Sequence, residues 1–319
     1  MTTAAVDRPR ASGARSLRAG TGRAVVMIPG AVLLIVFAVL PFAALLWAGF
    51  TTADGHLSAE NFATVFRTGT YVALIGRTLG IALLVTVLSI AVGWPAAWAL
   101  ARHVSPRARS IILGLVIVPY ITSQLLLIYG FITLVQVGGP IMSLTHLLGL
   151  TGPQDSIMYS PVATVLMLVY ESIPTAVLVM YSASEQVDES LLEAARSLGA
   201  GRLRVFGTVI WPLAAPMLIA NFALTFVQTV GAFAEPDLLG GPSGQMIGNV
   251  IAEQLNSGVG QQFAIALSLL LLMASLVVVA LFAGGIRLSA NLQRGRVARP
   301  ERMPRPAALT AQTEGGITR

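Results

Sequence analysis

The segment Asp188–Pro212 reads DESLLEAARSLGAGRLRVFGTVIWP and lies between two long apolar runs, Val162–Tyr181 before it and Pro212–Phe233 after it. A membrane-spanning helix needs about 20 predominantly apolar residues. Both runs meet that requirement, so the polar stretch between them is a loop joining two spans. It is long enough to carry structure of its own. Ser190 and Glu193 have capping-box spacing, with Asp188 as a competing N-cap. Leu191, Ala195 and Leu198 fall on one helical face. Gly199 and Gly201 suit a left-handed helix ending. A second short helical stretch is expected over Arg202–Thr208, with Pro212 in the first turn of the next span. The physics predicts helix, glycine turn, helix, lying along a membrane face. An amphipathic segment resting on lipid headgroups fits that description as well as a docking surface does.

Four more apolar runs occur outward from this segment, near Val25–Phe50, Leu74–Leu100, Ile111–Val137 and Phe263–Ile286. The expected fold is an all-α integral membrane protein of six helices. Composition agrees: the chain is 55% hydrophobic and 11% charged, against about 25% charged residues in soluble domains. All 20 basic residues are arginine. Every one except Arg67 and Arg77 falls in the ends or in the two loops that share a side with them. The positive-inside rule then puts both termini in the cytoplasm. Residues 1–24 read as a disordered cytoplasmic arm, 25–287 as the membrane domain with its loop at 188–212, and 288–319 as a disordered tail. Short surface helices are expected near Ser58–Phe66 and Ile141–Leu148.

Several chemistries are excluded. There is no cysteine, hence no disulfide or thiolate metal site. Without lysine there is no Schiff base and no phosphate-binding P-loop. The net charge of +6 lacks an interleaved aromatic platform, so nucleic acid is not a partner. Gly241-Pro242-Ser243-Gly244 matches the G-x-S-G string of rhomboid-type serine proteases. Such a serine needs a histidine base on a later helix, and His56, His103 and His146 all precede it.

Glu193-Ala194-Ala195, then Gly199, then Val209-Ile210-Trp211-Pro212 resembles the EAA loop of ABC importer permeases of the type I, MetI-like class. Val209 replaces the usual Ile and Trp211 the usual Leu, both keeping bulky apolar character. The resemblance spans roughly Tyr71–Arg287. It implies that Glu193, Ala194, Ala195, Leu198 and Gly199 form a coupling helix docked on a cytoplasmic ABC ATPase dimer. ATP and Mg then belong to that partner, and this chain carries no cofactor and no catalytic residue. It also implies a second permease subunit, similar or identical, an extracytoplasmic substrate-binding protein, and residence in the bacterial inner membrane among its lipids.

Candidate pathway residues are fewer. Glu171, followed by Pro174, lies inside the fourth span, where a carboxylate costs at least about 2.5–3.5 kcal/mol and faces the bundle interior. Tyr120, Tyr129 and Tyr170 offer aromatic faces to a cation. Glu235 and Asp237 flank Pro236 and are expected to give negative charge to an outward mouth, before an irregular turn at Gly240, Gly241 and Gly244. The stretch Glu235–Asn249 resembles that of spermidine/putrescine permeases, which implies a polyamine or a related small solute. A stand-alone secondary transporter or channel is the rival reading; such folds show inverted repeats, and none is evident here.

Overall fold

The computed structural model describes residues 16–51, 55–150, 152, 155–258 and 260–297. Among these the chain is helical, with one isolated β-bridge, Thr51 to Leu57. The long helices are α1 (Ser16–Gly49), α3 (Gly69–His103), α7 (Pro161–Glu185), α10 (Trp211–Val230) and α14 (Gln261–Val297). Between them lie α2 (Glu60–Arg67), α4 (Pro106–Ile121), α5 (Gln124–Val135), α6 (Pro140–Leu147), α8 (Glu189–Ser197), α9 (Arg202–Val205), α11 (Ala234–Leu239), α12 (Gly241–Gly244) and α13 (Ile247–Ser257). Five helical segments are long and apolar enough to cross a membrane: Gly69–His103, Gln124–Leu147, Pro161–Glu185, Arg202–Val230 and Gln261–Gln293. The N-terminal helix contributes a shorter apolar stretch, Ile35–Gly49.

The expected third span, Ile111–Val137, is not one helix. It breaks between α4 and α5, where Thr122 (ψ 144°) and Ser123 (ψ 131°) are extended. Pro119 itself stays helical, since proline disturbs the turn before it; the break follows at the two extended residues. The Thr122 N–H closes the end on Pro119 O at 3.3 Å. The helices also outrun the polar boundaries read from composition. Helix α1 starts at Ser16, within the expected arm, and α14 runs to Val297, within the expected tail. Residues 1–15 and 298–319 lie outside the described residues. Once an apolar span nucleates a helix, adjoining Arg, Leu, Ala and Gln extend it at little cost.

Helices α3, α7, α10 and α14 form the bundle. Its closest seam joins α3 to α7 through small residues. A Cβ on Gly93 would stand 2.6 Å from the Ala176 Cβ. Ala97 of α3 and Ala183 of α7 share one buried cluster as well. In a bilayer, lipid is as apolar as leucine, so helices associate by close packing of such small residues. Across α10 and α14 the filling is aromatic: Phe222 stacks on Phe282 at 3.6 Å and on Phe226 at 5.3 Å between centroids.

The segment after α10 is ordered and inward-packed. Leu239, Met246 and Ile247 are fully buried, the Ile247 N–H donates to Thr78 Oγ1 at 2.9 Å, and Asn249 Nδ2 donates to Phe233 O at 2.9 Å. The expected irregular turn at Gly240, Gly241 and Gly244 is instead a chain of short helices. Gly241 (φ +55°) is pressed against Tyr159, with the backbone O 2.8 Å from where a Cβ would stand.

Candidate functional site

The loop between α7 and α10 is a helix pair with defined ends. Asp188 caps α8, its carboxylate accepting from the Ser190 N–H at 3.0 Å. The competing cap therefore prevails over the Ser190–Glu193 box: a shorter reach from Asp188 satisfies the first-turn donor. That same bond holds the Asp188 carboxyl below the usual carboxylate range. At the other end, the Gly199 N–H bonds Arg196 O at 2.9 Å and the Ala200 N–H bonds Ala195 O at 3.1 Å. This pair is a Schellman ending, which needs a left-handed residue, and Gly199 supplies it at φ +78°. Gly201 has φ −66° and instead precedes α9.

The second helix does not stop before the next span. Helix α9 passes through a π-helical turn, Phe206–Ile210, directly into α10. The Trp211 N–H reaches Phe206 O, five residues back. Pro212 accounts for the widened turn, since it has no N–H to give to the carbonyl four residues behind it. Helices α9 and α10 are thus one continuous rod, and α8 is set off from it by the turn at Gly199.

Leu192, not Leu191, anchors the loop. It is buried with Val187, Val205 and Ile210, against Trp94 and Trp98 of α3. Ala195 is half-buried beside it, while Leu191 and Leu198 are exposed, Leu198 at 88%. The expected face of Leu191, Ala195 and Leu198 therefore straddles the boundary: packing chose a stripe centred one residue further on. The free face presents Leu191, Glu193, Ala194 and Leu198. Arg102, in the last turn of α3, ties the loop to the bundle. It donates to Glu189 Oε2 at 2.6 Å, to Ser184 O at 3.3 Å and to Val187 O, and lies 5.1 Å from the Trp98 ring centroid. Arg109 of α4 pairs with Glu185 at 3.8 Å.

A second constellation sits at the α4–α5 break. A cavity of about 160 Å³ is lined by Tyr120, Thr122, Gln124, Glu171 and Gln228, among others. Glu235 of α11 faces Glu171 of α7 and accepts from Gln124 Nε2. It is 1% exposed, so it is a buried residue and not part of a solvated mouth as its position beside Pro236 suggested. Its Oε2 receives no hydrogen bond among the described residues. Two carboxyls side by side need a shared proton or a cation between them. Tyr120 lines this cavity; Tyr129, Tyr170 and Asp237 do not. Gln124 and Gln228 escaped the sequence reading, although an amide inside an apolar run is itself a signal.

Residues 89–287 match the family described as binding-protein-dependent transport system inner membrane component. The chain belongs to this family. The permease is 32% identical, over 254 residues covering 77% of it and 88% of the relative, to the spermidine/putrescine transport system permease protein PotB of Haemophilus influenzae. It is 34% identical over 229 residues, 69% of it and 82% of the relative, to PotB of Escherichia coli K12. In fold it resembles a bacterial ABC transporter that imports the acidic polysaccharide alginate, with a TM-score of 0.64 and 17% identity over 86% of the permease and 97% of that chain. It is accordingly a multi-pass membrane permease subunit of the ABC importer class, a transport and not a catalytic family.

Proposed function

We propose that this permease is one of two membrane halves of an importer driven by a separate cytoplasmic ABC ATPase dimer, and that it carries a polyamine or a related small cation. The observation that carries the first part is the exposed face of α8. An 88%-exposed leucine, Leu198, beside Glu193 and Ala194, stands on a helix whose other face is fixed to Trp94 and Trp98. A surface held rigid on one side and left apolar on the other is suited to a protein partner. In this reading α8 is the coupling helix, with Glu193, Ala194, Leu198 and the Gly199 ending at the contact and Ala195 behind it. ATP and Mg act in the partner. The N-terminal helix counts as the sixth span, both termini are cytoplasmic with residues 1–24 and 288–319 as polar extensions, and the chain resides in a bacterial inner membrane. An extracytoplasmic binding protein delivers solute, and a second permease, similar or identical, completes the pathway.

Mechanistically, inward motion of α8 is carried into the α9–α10 rod through the packing of Leu192 on Val205 and Ile210, and into α3 through Arg102. Such rigid-body motion opens the pathway alternately to either side. The cation reading rests on the paired carboxyls of Glu171 and Glu235 and the orphan Glu235 Oε2, and on the names of the PotB relatives. Tyr120 adds an aromatic face. The test is uptake of labelled spermidine by proteoliposomes holding the permease pair, with and without ATPase and binding protein. Uptake that needs both is expected; uptake that persists with no ATPase present sinks the reading in favour of a stand-alone carrier.

A further inference from the structure

A larger cavity lies on the other side of the loop. A groove of about 1010 Å³ runs along α3, α8 and α9 beside the packing of Leu192 on Trp94 and Trp98. Ile90, Trp94 and Trp98 form one wall, and Leu192, Val205 and Phe206 face them. The Trp94 ring lies 5.6 Å from that of Phe206 and 6.0 Å from that of Trp211. Arg196 and Arg202 stand at the rim, both exposed.

These two arginines are held less tightly than Arg102 and Arg109. Arg102 and Arg109 are held by Glu189 and Glu185 and by backbone carbonyls. Arg196 has only a long contact to Glu189, at 3.8 Å, and among the described residues no carboxylate pairs with Arg202. Two loosely held cations thus border an aromatic, apolar groove whose α3 wall lies within the span Gly69–His103. Tryptophans gather at the headgroup level of membranes, and basic pockets between spanning helices on the cytoplasmic side receive anionic headgroups.

We infer that this groove holds an anionic phospholipid of the cytoplasmic leaflet, its phosphate between Arg196 and Arg202 and an acyl chain along Ile90, Trp94 and Trp98. The leaflet assignment rests on the orientation proposed above. A soluble phosphate leaves the apolar walls unused. The lipid would bear on the loop at Phe206 and Arg196, beside the buried Leu192 cluster, and so set how firmly α8 is presented.

The assembled transporter, extracted from nanodiscs of phosphatidylethanolamine and phosphatidylglycerol, tests this by native mass spectrometry. One phosphatidylglycerol is expected to survive per copy of this chain. The double variant Arg196→Gln/Arg202→Gln is expected to retain it about tenfold less well, each arginine contributing near the membrane surface. Ala91→Phe, which fills the groove and leaves both arginines in place, is expected to expel it as well. Equal retention in wild type and both variants overturns the inference, as does wild type retaining none because a second permease chain occupies the groove. Displacement by millimolar inorganic phosphate, with Ala91→Phe unaffected, overturns it in favour of a soluble-anion site. Lipid retention is read without ATP, so a transporter that keeps its lipid yet imports without ATPase contradicts the proposed function and not this inference.

Discussion

The Arg102 guanidinium donates to Glu189 Oε2 at 2.6 Å and so joins the last turn of α3 to the first turn of α8. The arginine side chain is 17% exposed, and Ser184 and Val187 carbonyls take its other donors. This is a tether between the loop and a helix to which it is not covalently adjacent. Arg102→Met is expected to leave insertion intact while lowering the ratio of solute imported to ATP hydrolysed severalfold. Arg102→Lys restores charge without the planar fork and recovers only part of it. Paired uptake and hydrolysis assays on reconstituted transporter check this; an unchanged ratio in Arg102→Met removes the tether from the account.

Gly199 is required by its conformation. No atom lies near the position its Cβ would take, but φ is +78°. Gly199→Val strains a left-handed position that β-branched residues avoid, at a cost of about 1–3 kcal/mol. Loosened α8 and weaker ATPase retention are expected, with the long helices unaffected. Gly199→Asn, which tolerates that conformation, is expected to stay near wild type. Co-purification of the ATPase with each variant separates the cases.

Glu171 and Glu235 face one another across the α7–α11 contact. If they receive a cation, Glu171→Gln and Glu235→Gln are each expected to raise the half-saturating spermidine concentration about tenfold, equivalent to about 1.4 kcal/mol. The affinity of the binding protein for spermidine stays as it was. Concentration-dependent uptake into proteoliposomes is the measurement, and wild-type saturation in both variants contradicts the assignment.

Asp188 gives the loop a defined pH behaviour. Its carboxyl is held below the usual range by the Ser190 N–H, so the charged cap stabilises α8 above the unfolded value of about 3.9. That contribution is lost only as pH falls through the lower folded value. Hydrogen exchange of the α8 amides, corrected for its intrinsic pH dependence, is expected to show constant protection from about pH 5 to 8. Asp188→Ala is expected to lose protection across that whole range.

Much of the fold was legible because hydrophobic run length survives any packing detail. The spans around Leu74–Leu100, Val162–Tyr181 and Phe263–Ile286 all lie inside observed helices. The break at Thr122–Ser123 was not legible: Pro119 just before it reads as a proline inside a span, as Pro174 of α7 does, and both stay helical. Only neighbours decide whether the helix then continues. The loop's helices were readable from Asp188, Gly199 and Pro212. Its buried stripe was not, because Leu191 and Leu192 are adjacent and either can face inward until Trp94 and Trp98 are in place. Glu171 was readable as an intramembrane acid. Its partner was misplaced: Glu235 follows α10 in sequence, and only the fold of α11 turns it back towards Gln124.

The most direct test uses the absence of cysteine from the chain. A single cysteine placed at Leu198, carrying a thiol-linked photocrosslinker, is irradiated in membranes containing the whole transporter. Leu192→Cys, on the buried side of α8, is the comparison. The account predicts a crosslink to the ATPase subunit from position 198 and little from 192. Absence of any ATPase crosslink from 198, in membranes where uptake remains ATP-dependent, contradicts the claim that this face of α8 receives the motor.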